Sequence, residues 1–346
     1  MVQPTNHSWP TERAYGRPEQ STGYDRCNAG TAADKNGAVS SSPAENIFLH
    51  ILKACVPLLV SIGLLAWLVD RIHWDELLAA LVGLNWLLLV PATVVLVMSL
   101  YFWDGVCLRT LFSTNESPVS YRQCLRARGI SYLASVINYE MGQAILAWRM
   151  ARDQRSDFMP AVSRTVLLAY HDLLVLLSFG LLGAVLGTHK FAVHARSSCL
   201  AGLAALLSLG IFPYFLGLRF RQRLQQTKWG AWWVGWTWNN TRRLLAWRAV
   251  YYLILIVYGG AAFSIGGLAV NYTTVLSTIP LVLLADALPS ISGLGTRDAV
   301  LQILLPTSEK QTLLAISLVW SVGVILGRTG LGLIHLWRQH VSDPSG

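Results

Sequence analysis

Apolar residues run along most of this chain in blocks about as long as a bilayer is thick, with short polar or charged interruptions between them. Six blocks, at residues 47–69, 86–107, 162–187, 200–218, 245–270 and 313–337, each predict one helix across the membrane. About 20 apolar residues suffice for that length. Two further stretches are apolar but interrupted. In residues 280–306 (PLVLLADALPSISGLGTRDAVLQILLP) the run is broken by Pro289 and the pair Gly293 and Gly295, and Arg297 and Asp298 follow at once. In residues 120–158 an amphipathic piece carrying Arg122, Arg126 and Arg128 meets Asn138, Glu140 and Gly142, and a second helical piece follows, ending in Arg149 and Arg152. Backbone groups outside a helix are costly in hydrocarbon and are tolerated where protein or a polar cavity surrounds them. Both stretches are therefore predicted as re-entrant helix pairs.

The pattern predicts an all-α polytopic membrane protein with about six full transmembrane helices and two broken re-entrant pairs. Each half then holds a span, a broken glycine-containing hairpin and another span, the arrangement of an inverted repeat with its site where the two breaks meet near the midplane. Loop charges suggest the orientation. The loop at 70–76 (Asp70, Arg71, Asp75, Glu76) is acidic and is placed outside, whereas 109–128, 149–164 and 219–248 are basic and are placed inside. The first two basic stretches lie on one side only if the segment between them dips in and returns. The loop at 189–196, with Lys190 and Arg196, is the exception to this rule. The expected location is the cell (inner, cytoplasmic) membrane with both termini cytoplasmic. Residues 1–46 are too polar to bury a core and are predicted as a disordered tail. Residues 47–338 form the membrane domain, whose first span acts as an uncleaved signal-anchor, and 339–346 form a C-terminal tail.

Composition agrees with the pattern: 53% of the 346 residues are hydrophobic and only 13% are charged, about half the charge of an average soluble domain. The net charge of +9 fits cytoplasmic loops better than nucleic-acid binding, which is not expected. Residues 219–248 hold seven basic and no acidic residues, interleaved with Trp229, Trp232, Trp233, Trp236, Trp238 and Trp247. That mixture suits anionic lipid headgroups at the interface. The five cysteines, Cys27, Cys55, Cys107, Cys124 and Cys199, show no metal or redox spacing and are taken as small apolar filler. No cofactor or metal site is predicted.

Charges inside predicted membrane segments are candidates for function, because placing them there is costly. They are Asp104, Glu140, Arg149, Asp172, Asp286, Arg297, Asp298 and Arg328. His171 and Asp172 together suggest a proton relay or, more plainly, interhelical hydrogen bonding. Asp104 and Arg328 are expected to neutralise each other across two spans. In the second break, Gly293 and Gly295 permit tight turns, and Ser292 or Thr296 can cap the following half-helix. Arg297 adds a fork that fits phosphate, with Asp298 beside it; the plainer reading is a kinked helix with a structural ion pair. Asn138, Glu140, Gly142 and Arg149 repeat the theme in the first break.

At these residues the chain resembles the lysylphosphatidylglycerol synthase transmembrane-region family, a flippase-like membrane domain. The family's second-half pattern, P-x-x-G-G-L-G-x-R-E, is met by Pro289, Gly293, Leu294, Gly295 and Arg297, with Ser292 for the first Gly and Asp298 for the Glu. Of its first-half pattern, Asn138 and Gly142 match, whereas Gln143 stands for a Glu, the Pro is absent and Arg149 lies farther along. Asp172 fits an Asp of the following helix, but Leu168 and Ala169 stand where a Glu-Arg pair is usual.

The resemblance spans about residues 48–338. It implies movement of a phospholipid or lipid-linked headgroup between leaflets, without enzymatic chemistry. The soluble aminoacyl-transferase domain fused to some members is not expected, since the sequence ends shortly after Arg338. The expected substrate site comprises Arg149, Arg297, Asp298, Gly293, Gly295, Asn138, Glu140, Gly142, Asp172 and Asp286, with Arg149 and Arg297 facing one central cavity. The alternative is an accessory subunit of a glycosyltransferase or lipid-modifying enzyme, docked through 219–248. An integral membrane enzyme is a third, weaker possibility, with no recognisable nucleophile or metal set behind it.

Overall fold

A computed structural model describes residues 73–113, 118–186, 196–207, 238–285, 296–305 and 309–342. These residues form helices joined by turns, and no strand occurs among them. In chain order the helices are α1 (Trp74–Gly83), α2 (Trp86–Phe112), α3 (Tyr121–Ile137), α4 (Tyr139–Gln154), α5 (Phe158–Leu186), α6 (Arg196–Leu207), α7 (Trp238–Ile265), α8 (Tyr272–Ala285), α9 (Thr296–Leu304) and α10 (Lys310–Ser342).

Four of them, α2, α5, α7 and α10, are long and apolar enough to cross a bilayer. Only 33–50% of their most apolar windows is buried inside the protein. The remainder is half-buried or exposed, the exposed part including Val94, Val95, Val166, Leu182, Val257 and Leu326. Water would not tolerate a surface of that kind on this scale, but lipid does, so this is an integral membrane protein. Of the six predicted spans, the block at 47–69 lies outside the described residues. The block at 200–218 is described only as far as Leu207, within the short helix α6. Helix α1 was not expected; the charges Asp75 and Glu76 suggested a loop, yet they occupy its first turn, where acidic side chains suit the helix dipole.

The first predicted break is present. Asn138 adopts an extended conformation (φ −152°, ψ 133°) that ends α3 and starts α4. Its Oδ1 accepts a hydrogen bond from Glu140 N at 2.7 Å, satisfying an amide of the new helix. At the other end of α3, Ser120 and Gln123 form a reciprocal capping box. Helices α3 and α4 then fold back on each other so closely that a Cβ at Gly142 would lie 2.5 Å from Ser135 Cβ. In the second broken segment, α8 and α9 pack against each other. Their connection, with Asp286, Pro289, Ser292, Gly293 and Gly295, lies outside the described residues.

Packing produces two apolar cores. One gathers residues of α1, α2, α5, α7, α8, α9 and α10, including Phe263, Ile279, Leu313 and Trp320. The other joins α2, α3, α4 and α5 around Leu108, Phe112, Leu146 and Met150, with Leu244 from α7. Trp103 of α2 packs against both, and its indole Nε1 donates to Trp247 O at 2.7 Å. The next residue along α2 is Asp104.

Candidate functional site

Asp104 is wholly buried, and each of its carboxylate oxygens is taken by a different arginine. Arg128 Nε of α3 donates to Oδ2 at 2.5 Å, and Arg248 Nη1 of α7 donates to Oδ1 at 2.8 Å. The other edge of the Arg248 guanidinium reaches Asp172 Oδ1 of α5, with Nε at 2.9 Å. The result is a chain of alternating charge, Arg128–Asp104–Arg248–Asp172, drawn from four helices. Arg248 is 2% exposed. A guanidinium suits this position because its planar fork offers donors on separate edges, so one residue can serve two carboxylates.

The cluster lies deep. Asp172 is at the midpoint of the 29-residue α5, about 21 Å from either end at the usual helical rise. Charges at such depth are costly unless paired, and the alternation meets that requirement group by group.

Aromatic rings extend the cluster. Tyr251 lies under Arg248 at 4.9 Å, and Tyr132 under Arg128 at 5.0 Å. Tyr132 Oη also approaches Asp104 Oδ2 at 3.5 Å. The same Tyr132 ring carries a second guanidinium, that of Arg328 of α10, at 5.3 Å.

Several sequence-based expectations change here. Asp104 does not pair with Arg328; its oxygens are already engaged by Arg128 and Arg248, and Arg328 rests on Tyr132 instead. Arg248 is not part of an interfacial basic loop. Helix α7 begins at Trp238, so Arg248 lies almost three turns inside it. Residues 219–237 of that loop lie outside the described residues. His171 is not joined to Asp172: its Nδ1 bonds Leu167 O on its own helix at 2.8 Å, and Asp172 turns to Arg248.

Of the expected site residues that are described, only Asp172 belongs to this cluster. Asn138 and Glu140 are exposed at the break between α3 and α4, where Asn138 acts as the cap, and Gly142 is buried against Ser135. Arg149 is 8% exposed and pairs with Asp153, one turn along α4, at 3.3 Å. Arg297 and Asp298 are both buried and tie α9 to α10. Arg297 Nη2 donates to Ser321 Oγ and, at 3.4 Å, to Ser317 O, and the guanidinium lies 5.1 Å from the centre of the Trp320 ring. Asp298 Oδ1 accepts from Ser317 Oγ. Among the described residues no hydrogen bond or ion pair joins Arg149 to Arg297. Their neighbours Met150 and Leu301 belong to different apolar cores. Asp286, Gly293 and Gly295 lie outside the described residues.

The sequence reading missed Arg128 and Arg248 as site residues. One signal was available: Tyr251 and Tyr252 beside Arg248, far into an apolar helix. Polar-tipped aromatics at that depth need an interior partner.

A family model described as the lysylphosphatidylglycerol synthase TM region matches residues 55–332. That match takes in most of the chain, including every member of the cluster, and the chain belongs to this family. No curated protein and no solved structure gives a match.

Proposed function

We propose that this member of the lysylphosphatidylglycerol synthase transmembrane-region family moves a phospholipid, or a lipid-linked headgroup, between the two leaflets of the membrane. One observation carries the reading: three arginines and two aspartates from five helices converge deep in a structure whose outer surface suits lipid. A headgroup crossing hydrocarbon loses its hydration. A cluster of fixed charges and hydroxyls at mid-depth offers substitute partners along the way and lowers that barrier. The process requires no covalent step, and lipid runs down its own gradient.

The broken pair α3–α4 and the packing of α8 on α9 support an inverted-repeat scaffold, in which two hairpins enter from opposite faces and the spans rock around them. The basic loops support cytoplasmic termini in the inner membrane. Residues 219–243, before the buried Leu244 and Arg248, are read as a stretch that meets anionic lipid or a membrane enzyme that makes or uses the cargo.

The test is a leaflet-sidedness assay. Purified protein is reconstituted into vesicles carrying a tail-labelled fluorescent phospholipid, and a membrane-impermeant reductant quenches the outer leaflet. Wild type is expected to expose the inner-leaflet pool within minutes, whereas protein-free vesicles retain about half their signal. Retention of that half by vesicles containing folded protein, for every headgroup tried, would overturn the proposal.

A further inference from the structure

We infer that Arg328, on its Tyr132 shelf, is the residue that reads the headgroup, and that the site is matched to a phosphodiester lipid of net negative charge. The inference rests on the lipid-moving reading above but concerns binding, so the two can fail separately.

Asp104 and Asp172 are matched by Arg128 and Arg248 through the contacts already described. Arg328 is then in excess. It makes no ion pair among the described residues, and its guanidinium rests against the face of Tyr132. It also lies within electrostatic range of Asp104, Tyr132 and Tyr251. An arginine held over an aromatic face keeps the hydrogen-bonding edge of its guanidinium available, and that edge fits two phosphate oxygens at once. Partial burial of Arg328 strengthens such a contact without closing it off.

Its surroundings reinforce the sign. Helices α3 and α10 run antiparallel past each other, with His335 against Gly129 and Leu133 against Gly332. Two turns along α10 from Arg328, His335 is bonded to Tyr101 Oη at 2.5 Å and lies within range of Arg126 and Arg338. The seam from Arg338 to Arg328 therefore carries positive charge along α10, over about 15 Å at the usual helical rise. An anion is drawn along that seam. Asp104, the carboxylate in electrostatic range of Arg328, and Asp172 beyond it already have arginine partners, so a cationic headgroup finds these acceptors engaged.

The prediction concerns net charge rather than phosphate alone. Phosphatidylglycerol, phosphatidylcholine and lysyl-phosphatidylglycerol share a phosphodiester but differ in net charge, at about −1, 0 and +1. Purified full-length protein in uncharged detergent is titrated with each lipid, and binding is followed by native mass spectrometry or by the rise in melting midpoint. Wild type is expected to bind them in that order, with phosphatidylglycerol favoured over lysyl-phosphatidylglycerol roughly tenfold or more, the scale of a charge-assisted hydrogen bond. Arg328→Gln is expected to reduce the ratio towards one. Arg328→Lys keeps the charge and is expected to retain most of it, with a loss from the missing fork.

The wild-type ranking requires no variant to fold. Lysyl-phosphatidylglycerol binding as tightly as phosphatidylglycerol, or an unchanged ratio in a folded Arg328→Gln protein, overturns the inference and leaves lipid movement untouched. A ranking that holds in a protein moving no lipid in vesicles overturns the transport reading and keeps Arg328 as a lipid-holding residue.

Discussion

Removing Asp104 tests whether the buried charges hold the helices together. Among the described residues, Asp104→Ala deletes the one carboxylate that pairs with Arg128 and one of the two that pair with Arg248. Both arginines are almost fully buried, at 7% and 2% exposed. Breaking a buried ion pair from one side costs about 3–5 kcal/mol, because the remaining charge stays desolvated without a partner. A domain of 150–250 residues loses roughly 2–4 °C of melting temperature per kcal/mol, and less as chains lengthen. The lower figure implies a fall of about 6–10 °C. The midpoint is best followed in mild detergent at one fixed scan rate, since proteins of this kind often unfold irreversibly.

A second variant separates stability from function. Replacing the four paired residues together (Asp104→Leu, Arg128→Met, Arg248→Met, Asp172→Leu) removes both the attraction and the desolvation cost. Such replacements are often neutral or stabilising, so a midpoint near or above wild type is expected, together with loss of lipid movement. An Asp104→Ala midpoint within about 2 °C of wild type would refute the reasoning. It would show either that water reaches the arginines or that they find other partners.

Three other substitutions probe other parts of the structure. Arg248→Lys keeps the charge but cannot serve Asp104 and Asp172 from two edges of a planar group; a loss of about 1–3 kcal/mol is expected in the same melting assay, and no loss would mean that the bridge is dispensable. Gly142→Val places a side chain 2.5 Å from Ser135 Cβ and 2.9 Å from its Cα, so overpacking of about 1–3 kcal/mol is expected, with Gly142→Ala milder. Ser317→Ala combined with Ser321→Ala leaves Arg297 and Asp298 without their hydroxyl partners on α10. Hydrogen exchange is expected to quicken in α9 and remain unchanged in α3 and α4; uniform quickening would indicate general destabilisation instead.

The four long spans were legible because lipid is a simple solvent: a helix with too few polar groups to face water announces itself by composition. Their ends were less so. Hydropathy marks where the chain leaves hydrocarbon, whereas α7 and α10 continue as helices through polar residues, from Trp238 before the predicted start at 245 and to Ser342 beyond the predicted end at 337. The break at Asn138 was legible for a local reason. An Asn two residues before an acidic first turn is a capping arrangement, and Gly142 one turn later removes the side chain that would hold the hairpin open. Helix α1 was hidden by the same kind of charge that, at a helix start, is favourable.

The site was legible as a list of charges but not as a set of partners. Pairing is decided by helix rotation and depth: Asp104 meets residues 24 and 144 positions away, and no local pattern encodes either distance. Arg297 and Arg328 show what composition leaves open. Each is an arginine near glycines in an apolar region, and each lies about 5 Å from an aromatic ring centre. Arg297, however, lies in the first turn of α9, has Asp298 as its neighbour and is bonded to Ser317 and Ser321 on α10, so its charge is spent on holding one helix to another. Arg328 sits inside a continuous helix, opposite a cluster already neutral without it. The motif therefore drew attention to the arginine that fastens the scaffold. Arg328, the arginine proposed above to meet a ligand, lies outside the motif and stands out only once the other pairs have been assigned.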